Sequence, residues 1–248
     1  MFKRNLITGI TALCIFALFA ISTASAKAEK KVGIILSGCG MMDGTEVYEA
    51  AFTVLALEKA GAKVVFMAPD INQASVVNHL KNDAKAEGTR NALVESARIA
   101  RGDIKNIKDV KASDLDALIL IGGIGSITTL SNFMAKGDKG TVEPDVEYLI
   151  KAVNASGKPI GSMCAASMII AKVFGDKNVK ITIGPKNDYF GPAIKTFGAQ
   201  QVIAKAADMV VDKENRIVTT PAVMSGESNA NIYLGITKMV NQVVKMSK

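Results

Sequence analysis

Lys158-Pro159-Ile160-Gly161-Ser162-Met163-Cys164-Ala165-Ala166-Ser167-Met168-Ile169-Ile170 carries an apolar run into a cysteine and out again through small and apolar residues. It reads as a buried strand, a sharp turn at Cys164 and a helix beginning directly afterwards. A side chain on such a turn stands above the sheet, over the unpaired N–H groups of the next helix. Those donors and the helix dipole favour negative charge, so a thiol there ionises more readily. The pattern is the sulfur counterpart of the Gly-x-Ser-x-Gly nucleophile elbow, with Gly161 three residues before the cysteine. A buried structural cysteine fits the same run, so the reading needs support from elsewhere in the chain.

Working outward, residues 31–37, 62–68 and 116–121 are short continuous apolar runs rich in β-branched residues, the pattern of central strands in a parallel sheet. Gly38-Cys39-Gly40 ends the first. Asp43-Gly44-Thr45-Glu46 then has the form of a capping box, with Asp43 as N-cap, before a helix that Gly61 stops. Glu49 lies in that helix's first turn and has no local partner. Residues 71–91, including the only histidine, His79, lack periodicity and read as a long irregular segment; residues 92–101 form a short helix. Gly122-Gly123-Ile124-Gly125 follows the third strand. Its spacing is not that of a dinucleotide loop, and glycines there let backbone N–H groups approach a ligand, so it reads as an oxyanion-binding turn. Pro144 opens a helix that Gly157 closes. Further strands are expected over 179–183, 201–204, 209–212 and 217–220, with a hairpin turn over 212–216. Short and long helices are expected over 192–197 and 226–244. This alternation implies a flavodoxin-like three-layer α/β sandwich, a mostly parallel sheet with helices on both faces. Ligands in such sheets bind beyond the strands' carboxyl ends, where Cys39, Glu49, Gly122-Gly123 and Cys164 all fall.

Residues 1–26 have a basic start at Lys3 and Arg4, an apolar stretch and Ala24-Ser25-Ala26, the form of a cleaved secretory signal peptide. Residues 27–248 then form a single domain, with a periplasmic or secreted location and no stable membrane insertion after cleavage. The net charge of +7 falls to +5 without Lys3 and Arg4, and it is dispersed over single lysines, so no nucleic acid partner is expected. One histidine and two separated cysteines make no zinc set, and neither metal nor cofactor is expected. In an exported protein Cys39 and Cys164 can also form one disulfide.

Several motifs together resemble the ThiJ/PfpI superfamily, the class I glutamine-amidotransferase-like fold, and within it the ElbB group of isoprenoid-biosynthesis glyoxalase-like proteins. They include Ser37-Gly-Cys39-Gly40, Asp43-Gly-Thr-Glu46-Val-Tyr-Glu49, Asn78-His79-Leu80, Gly122-Gly123-Ile-Gly125, Leu130-Ser-Asn132-Phe133, Gly157-Lys-Pro-Ile-Gly161 and Val218-Thr-Thr-Pro221-Ala222. The resemblance implies a nucleophilic Cys164, an acidic partner in Glu49, and an oxyanion pocket from the Gly122-Gly123 backbone and the Ala165 N–H. Cys39, Glu46, His79 and Asn132 are expected around it. It also implies a homodimer and a glutathione-independent glyoxalase that turns a small carbonyl substrate, a reactive dicarbonyl, into a hydroxy acid. The chain departs from the ElbB group in three places. Cys164-Ala-Ala-Ser167 replaces Cys-Ile-Ala-Pro, Ile124 replaces a phenylalanine in the glycine turn, and those chains normally carry no signal peptide. Ala165 also stands where the protease-like and amidotransferase branches have histidine. A redox-sensing or small-molecule-binding protein of the same fold is the alternative reading.

Overall fold

The computed structural model describes residues 29–82, 88–185 and 190–247. In chain order the elements are β1 (Lys30–Ile35), α1 (Val47–Lys59), β2 (Ala62–Ala68), α2 (Ala92–Ile99), β3 (Lys105–Asn106) and β4 (Ala117–Leu120). Next come α3 (Gly125–Thr128), α4 (Phe133–Lys136), α5 (Pro144–Ala155), β5 (Ile160–Met163), α6 (Ser167–Val173) and β6 (Lys180–Ile181). The chain ends with α7 (Gly191–Phe197), β7 (Gln200–Gln201), β8 (Val210–Asp212), β9 (Ile217–Thr220) and α8 (Asn229–Met246).

Seven strands form the main sheet in the order β3-β2-β1-β4-β5-β9-β8, all parallel except the β8–β9 hairpin. The continuous apolar strands β1, β4 and β5 lie at its centre, covered on both faces. Helices α1, α2 and α8 pack on one face, and α5 and α6 on the other. This is the flavodoxin-like sandwich. The strand order turns back between β1 and β4, which opens a crevice beyond their carboxyl ends.

Some elements differ from expectation. The 179–183 strand is only β6, and it pairs with β7 in a separate two-stranded sheet. A side chain ties β6 to the edge of the main sheet: Asp212, at the end of β8, accepts the Lys180 N–H. Helix α1 starts at Val47, four residues after the expected N-cap Asp43. Glu46 is the cap, its Oε2 accepting the Glu49 N–H at 2.6 Å. Asp43 is drawn away by tertiary structure: it is fully buried and its Oδ2 accepts the Val77 N–H at 2.7 Å. Residues 71–91 contain no helix or strand among the described residues; Asn72 and Asn91 form an isolated bridge. The expected signal peptide at residues 1–26 lies outside the described residues.

Candidate active site

Three segments meet at the β1/β4 crevice. Backbone hydrogen bonds lace the loop after β1 to the turn after β4: Glu46 N–H donates to Gly122 O, Ile124 N–H to Met41 O and Gly125 N–H to Gly44 O. Gly123 has φ +105°, and a Cβ there would strike Gly44 O and lie 2.5 Å from Glu46 N. Only glycine lets the two loops close up in this way. The third segment leaves β5 at Cys164, whose φ is +53°. A left-handed conformation is costly for a residue with a Cβ, and here it lifts the thiol onto the crevice floor. A 3₁₀ turn over Cys164–Ala166 comes between the strand and α6, so the α-helix starts at Ser167 rather than directly after the cysteine.

Glu49 points from the first turn of α1 to the same spot and is fully buried. Its Oε2 accepts the Gly122 N–H at 3.0 Å and its Oε1 the Val223 N–H at 3.1 Å. It also faces the Cys164 thiol, the two groups meeting over Gly122. Gly122 marks the point of contact: a Cβ there would strike Cys164 Cβ and lie 2.5 Å from Glu49 Oε2. The pair therefore fits only against a glycine.

Burial pushes the Glu49 carboxyl up to about 8, with help from the Glu46 carboxylate and against the Val223 and Gly122 N–H donors. At neutral pH it holds a proton. Burial, and then the Glu49 carboxylate, push the Cys164 thiol upward as well, while the Ala165 and Gly123 N–H groups bonded to its sulfur pull it down. Two negative charges cannot coexist at this separation. The pair can hold one, and protonated Glu49 with a thiolate is the microstate in which the carboxyl donates.

The thiol, 6% exposed, opens into a cavity of about 170 Å³ whose other walls come from Met41, Met42, Glu46, Gly123, Ile124, Ala165, Phe190, Val223 and Met224. Of the residues expected here, Cys164, Glu49, Glu46, Gly122, Gly123 and Ala165 come together. The expected oxyanion role of Gly122 is corrected, because its N–H is taken by Glu49. Cys39 lies apart, against Val47, Ala51, Phe66 and Arg98 between α1, α2 and β2. Both cysteines are free, so the structure holds no Cys39–Cys164 disulfide. His79 is a strut behind the loop, its Nε2 accepting the Met42 N–H at 3.2 Å and its Nδ1 lying 3.1 Å from Val77 O. Asn132 is exposed and braces Thr141, accepting its N–H at 2.7 Å. Neither side chain lines the cavity. Their motif positions had suggested otherwise because a local motif does not distinguish a residue that shapes a loop from one that meets a ligand.

Sequence reasoning assigned no role to the stretch that completes the site. Ala222, fully buried, has φ +50° and starts a 3₁₀ turn that aims the Val223 N–H at Glu49. The signal there was the Val218-Thr-Thr-Pro221-Ala222 motif, which gave a resemblance but no role. Among the described residues no group of three or more His, Cys, Asp or Glu side chains is arranged to hold a metal. No described helix is long and apolar enough to cross a membrane.

A family model described as the DJ-1/PfpI family matches residues 39–228. The chain is 37% identical over 225 residues to human glutamine amidotransferase-like class 1 domain-containing protein 3, mitochondrial, over 88% of this chain and 83% of that protein. It is 36% identical over 236 residues to the rat ES1 protein homolog, mitochondrial, over 92% of this chain and 88% of that one. The solved isoprenoid biosynthesis protein with amidotransferase-like domain from Ehrlichia chaffeensis has a TM-score of 0.80 and 33% identity, covering 87% of this chain and 99% of that chain. The mitochondrial relatives overturn the expected periplasmic or secreted location. Residues 1–26 contain no acidic residue and begin with basic ones. Secretory leaders and mitochondrial transit peptides share those features, which therefore do not specify an address.

Proposed function

The chain belongs to the DJ-1/PfpI family, and on that premise we propose that Cys164 is a nucleophile assisted by Glu49 in the cofactor-free conversion of a reactive dicarbonyl to a hydroxy acid. The observation that carries this reading is a strained cysteine on a cavity floor, beside a buried carboxyl group that is neutral at pH 7. The thiolate adds to the aldehyde carbon, forming a C–S bond, and the carbonyl oxygen takes up a proton to give a hemithioacetal. Glu49, now ionised, removes the proton from that carbon and returns it to the neighbouring one, while the hemithioacetal hydroxyl proton passes to the former ketone oxygen. The former aldehyde carbon becomes a thioester, and the former ketone becomes an alcohol. Water cleaves the thioester, releasing the hydroxy acid and restoring the thiol. The sum is dicarbonyl plus water, with no external oxidant or reductant. The Ala165 N–H, already aimed at the sulfur, supports the developing oxyanion.

The test is dicarbonyl consumption and hydroxy-acid formation by the full chain beside Cys164→Ala. Equal turnover by the two would remove the mechanism. A second reading, a redox-sensing role for the same thiol, is favoured by the two N–H donors that meet the sulfur in the resting protein, since they would equally hold the oxygen of a sulfenic acid. Comparing turnover with peroxide-driven oxidation of Cys164 separates the two readings. Val47, Tyr48 and Leu55, large apolar side chains exposed on α1, support a homodimer, which sedimentation of the purified chain tests.

A further inference from the structure

Phe190 stands in the wall of two cavities. One is the 170 Å³ chamber over Cys164. The other is a neighbouring space of about 280 Å³, lined also by Phe133, Met168, Pro192 and Ala193. The second space is mainly apolar and contains no group that the proposed reaction uses. We propose that Phe190 is the specificity-determining residue of the site, a partition that confines the Cys164 chamber to uncharged carbonyl compounds with a short apolar substituent. This rests on the reading that Cys164 is the attacking group.

Volume sets the size limit. A cavity of about 150 Å³ with apolar walls accepts benzene, so the Cys164 chamber holds a methyl-substituted dicarbonyl with room to spare. A phenyl-substituted one, whose reacting carbon must still reach the sulfur on the floor, exceeds it. Its ring would have to occupy the place of the Phe190 ring. Removing that ring joins the chamber to the adjacent space, which more than doubles the room. The charge limit follows from the lining. Glu46 is a wall residue, and its Oε2 accepts the Glu49 N–H. No Lys, Arg or His lines the chamber among the described residues. A carboxylated or phosphorylated substrate would meet the Glu46 carboxyl with no compensating cation among the described lining residues.

Alkylation of Cys164 measures the chamber independently of turnover. The full chain is treated at pH 8.5 with iodoacetamide, iodoacetanilide or iodoacetate. Rates are read from the Cys164 peptide by mass spectrometry and divided by those of free cysteine. The native chain is expected to disfavour iodoacetanilide at least tenfold, and iodoacetate at least fivefold, relative to iodoacetamide. Phe190→Ala should bring iodoacetanilide to within threefold of iodoacetamide, whereas Phe190→Met keeps the discrimination. A cooperative denaturant unfolding transition like that of the native chain shows that each variant is folded. Equal relative rates in the native chain, or a ratio unmoved by Phe190→Ala, would overturn the partition. Equal iodoacetate and iodoacetamide rates would overturn the restriction to uncharged compounds. In parallel, Phe190→Ala should raise kcat/KM for a phenyl-substituted dicarbonyl at least tenfold relative to the methyl-substituted one. Shifted alkylation ratios with no turnover of either dicarbonyl support the partition and overturn the catalytic reading instead.

Discussion

Cys164 and Cys39 both follow the carboxyl end of a central strand, β5 and β1, yet they occupy different chemical settings. Cys164 sits in a left-handed turn, with two backbone N–H groups and a protonatable carboxyl at its sulfur. Cys39 has no such backbone conformation and lies on the far side of α1. Burial pushes its thiol upward, and Arg98 is the foremost group opposing that shift. The contrast teaches that the end of a strand is only an address. What makes one thiol a candidate nucleophile is the set of donors that converge on it and the strain that presents it.

Exchanging the two cysteines one at a time is the sharpest way to break this comparison. Cys164→Ala is expected to lower dicarbonyl turnover by roughly 10³-fold or more, whereas Cys39→Ala keeps it within about twofold. Comparable losses in both would erase the distinction. Gly122→Ala comes next. The new methyl would press on both Cys164 and Glu49, so turnover should fall by roughly 10²-fold. Stability should fall by about 1–3 kcal/mol, read from denaturant midpoints.

Glu49 supplies a pH test. Its carboxyl is raised from 4.5 to about 8 in the folded chain, so the folded state binds more protons than the unfolded state in between. The contribution to stability is thus full below about pH 4.5 and is lost as pH rises through about 8, a change on the order of 5 kcal/mol. Glu49→Gln should remove this slope, so that the variant gains on the native chain between pH 5 and 9 in denaturant titrations while losing turnover. Parallel slopes would mean that the carboxyl is not protonated in the fold. Burial and the ionised Glu49 carboxylate both push the thiol upward, so Glu49→Gln should let Cys164 alkylate at lower pH than in the native chain. The smallest effect is expected at Ala222→Gly. Relief of the φ +50° strain should offset the added chain entropy, leaving stability within roughly 1 kcal/mol of the native chain. A larger loss would show that the Ala222 methyl group itself holds the turn beneath Glu49.

Much of this was legible in the chain, because the relevant signals were local. Buried parallel strands are continuous apolar runs, so β1, β2, β4 and β5 stood out. The glycines at 122 and 123 marked a close approach, and Glu49 stood out as a carboxyl group without local work. Weaker elements were less legible. Lys105–Asn106 carries little apolar pattern, and only its neighbour β2 makes it a strand. Asp43 was misread because the capping signature is local whereas its Val77 partner is 34 residues away.

By itself, the amino-acid order determined the alternation of strands and helices, the open sheet and the rim on which its reactive groups gather. Each of those follows from hydrophobic periodicity and turn chemistry within a few residues. Only the tertiary structure decided that the Gly122 N–H serves Glu49 rather than a substrate, that Val223 completes the carboxyl's cradle, and that Phe190 divides two cavities. Backbone donors are chemically identical at every non-proline position, and a cavity is the space left between segments distant in sequence. Neither can be read before the chain has closed around it.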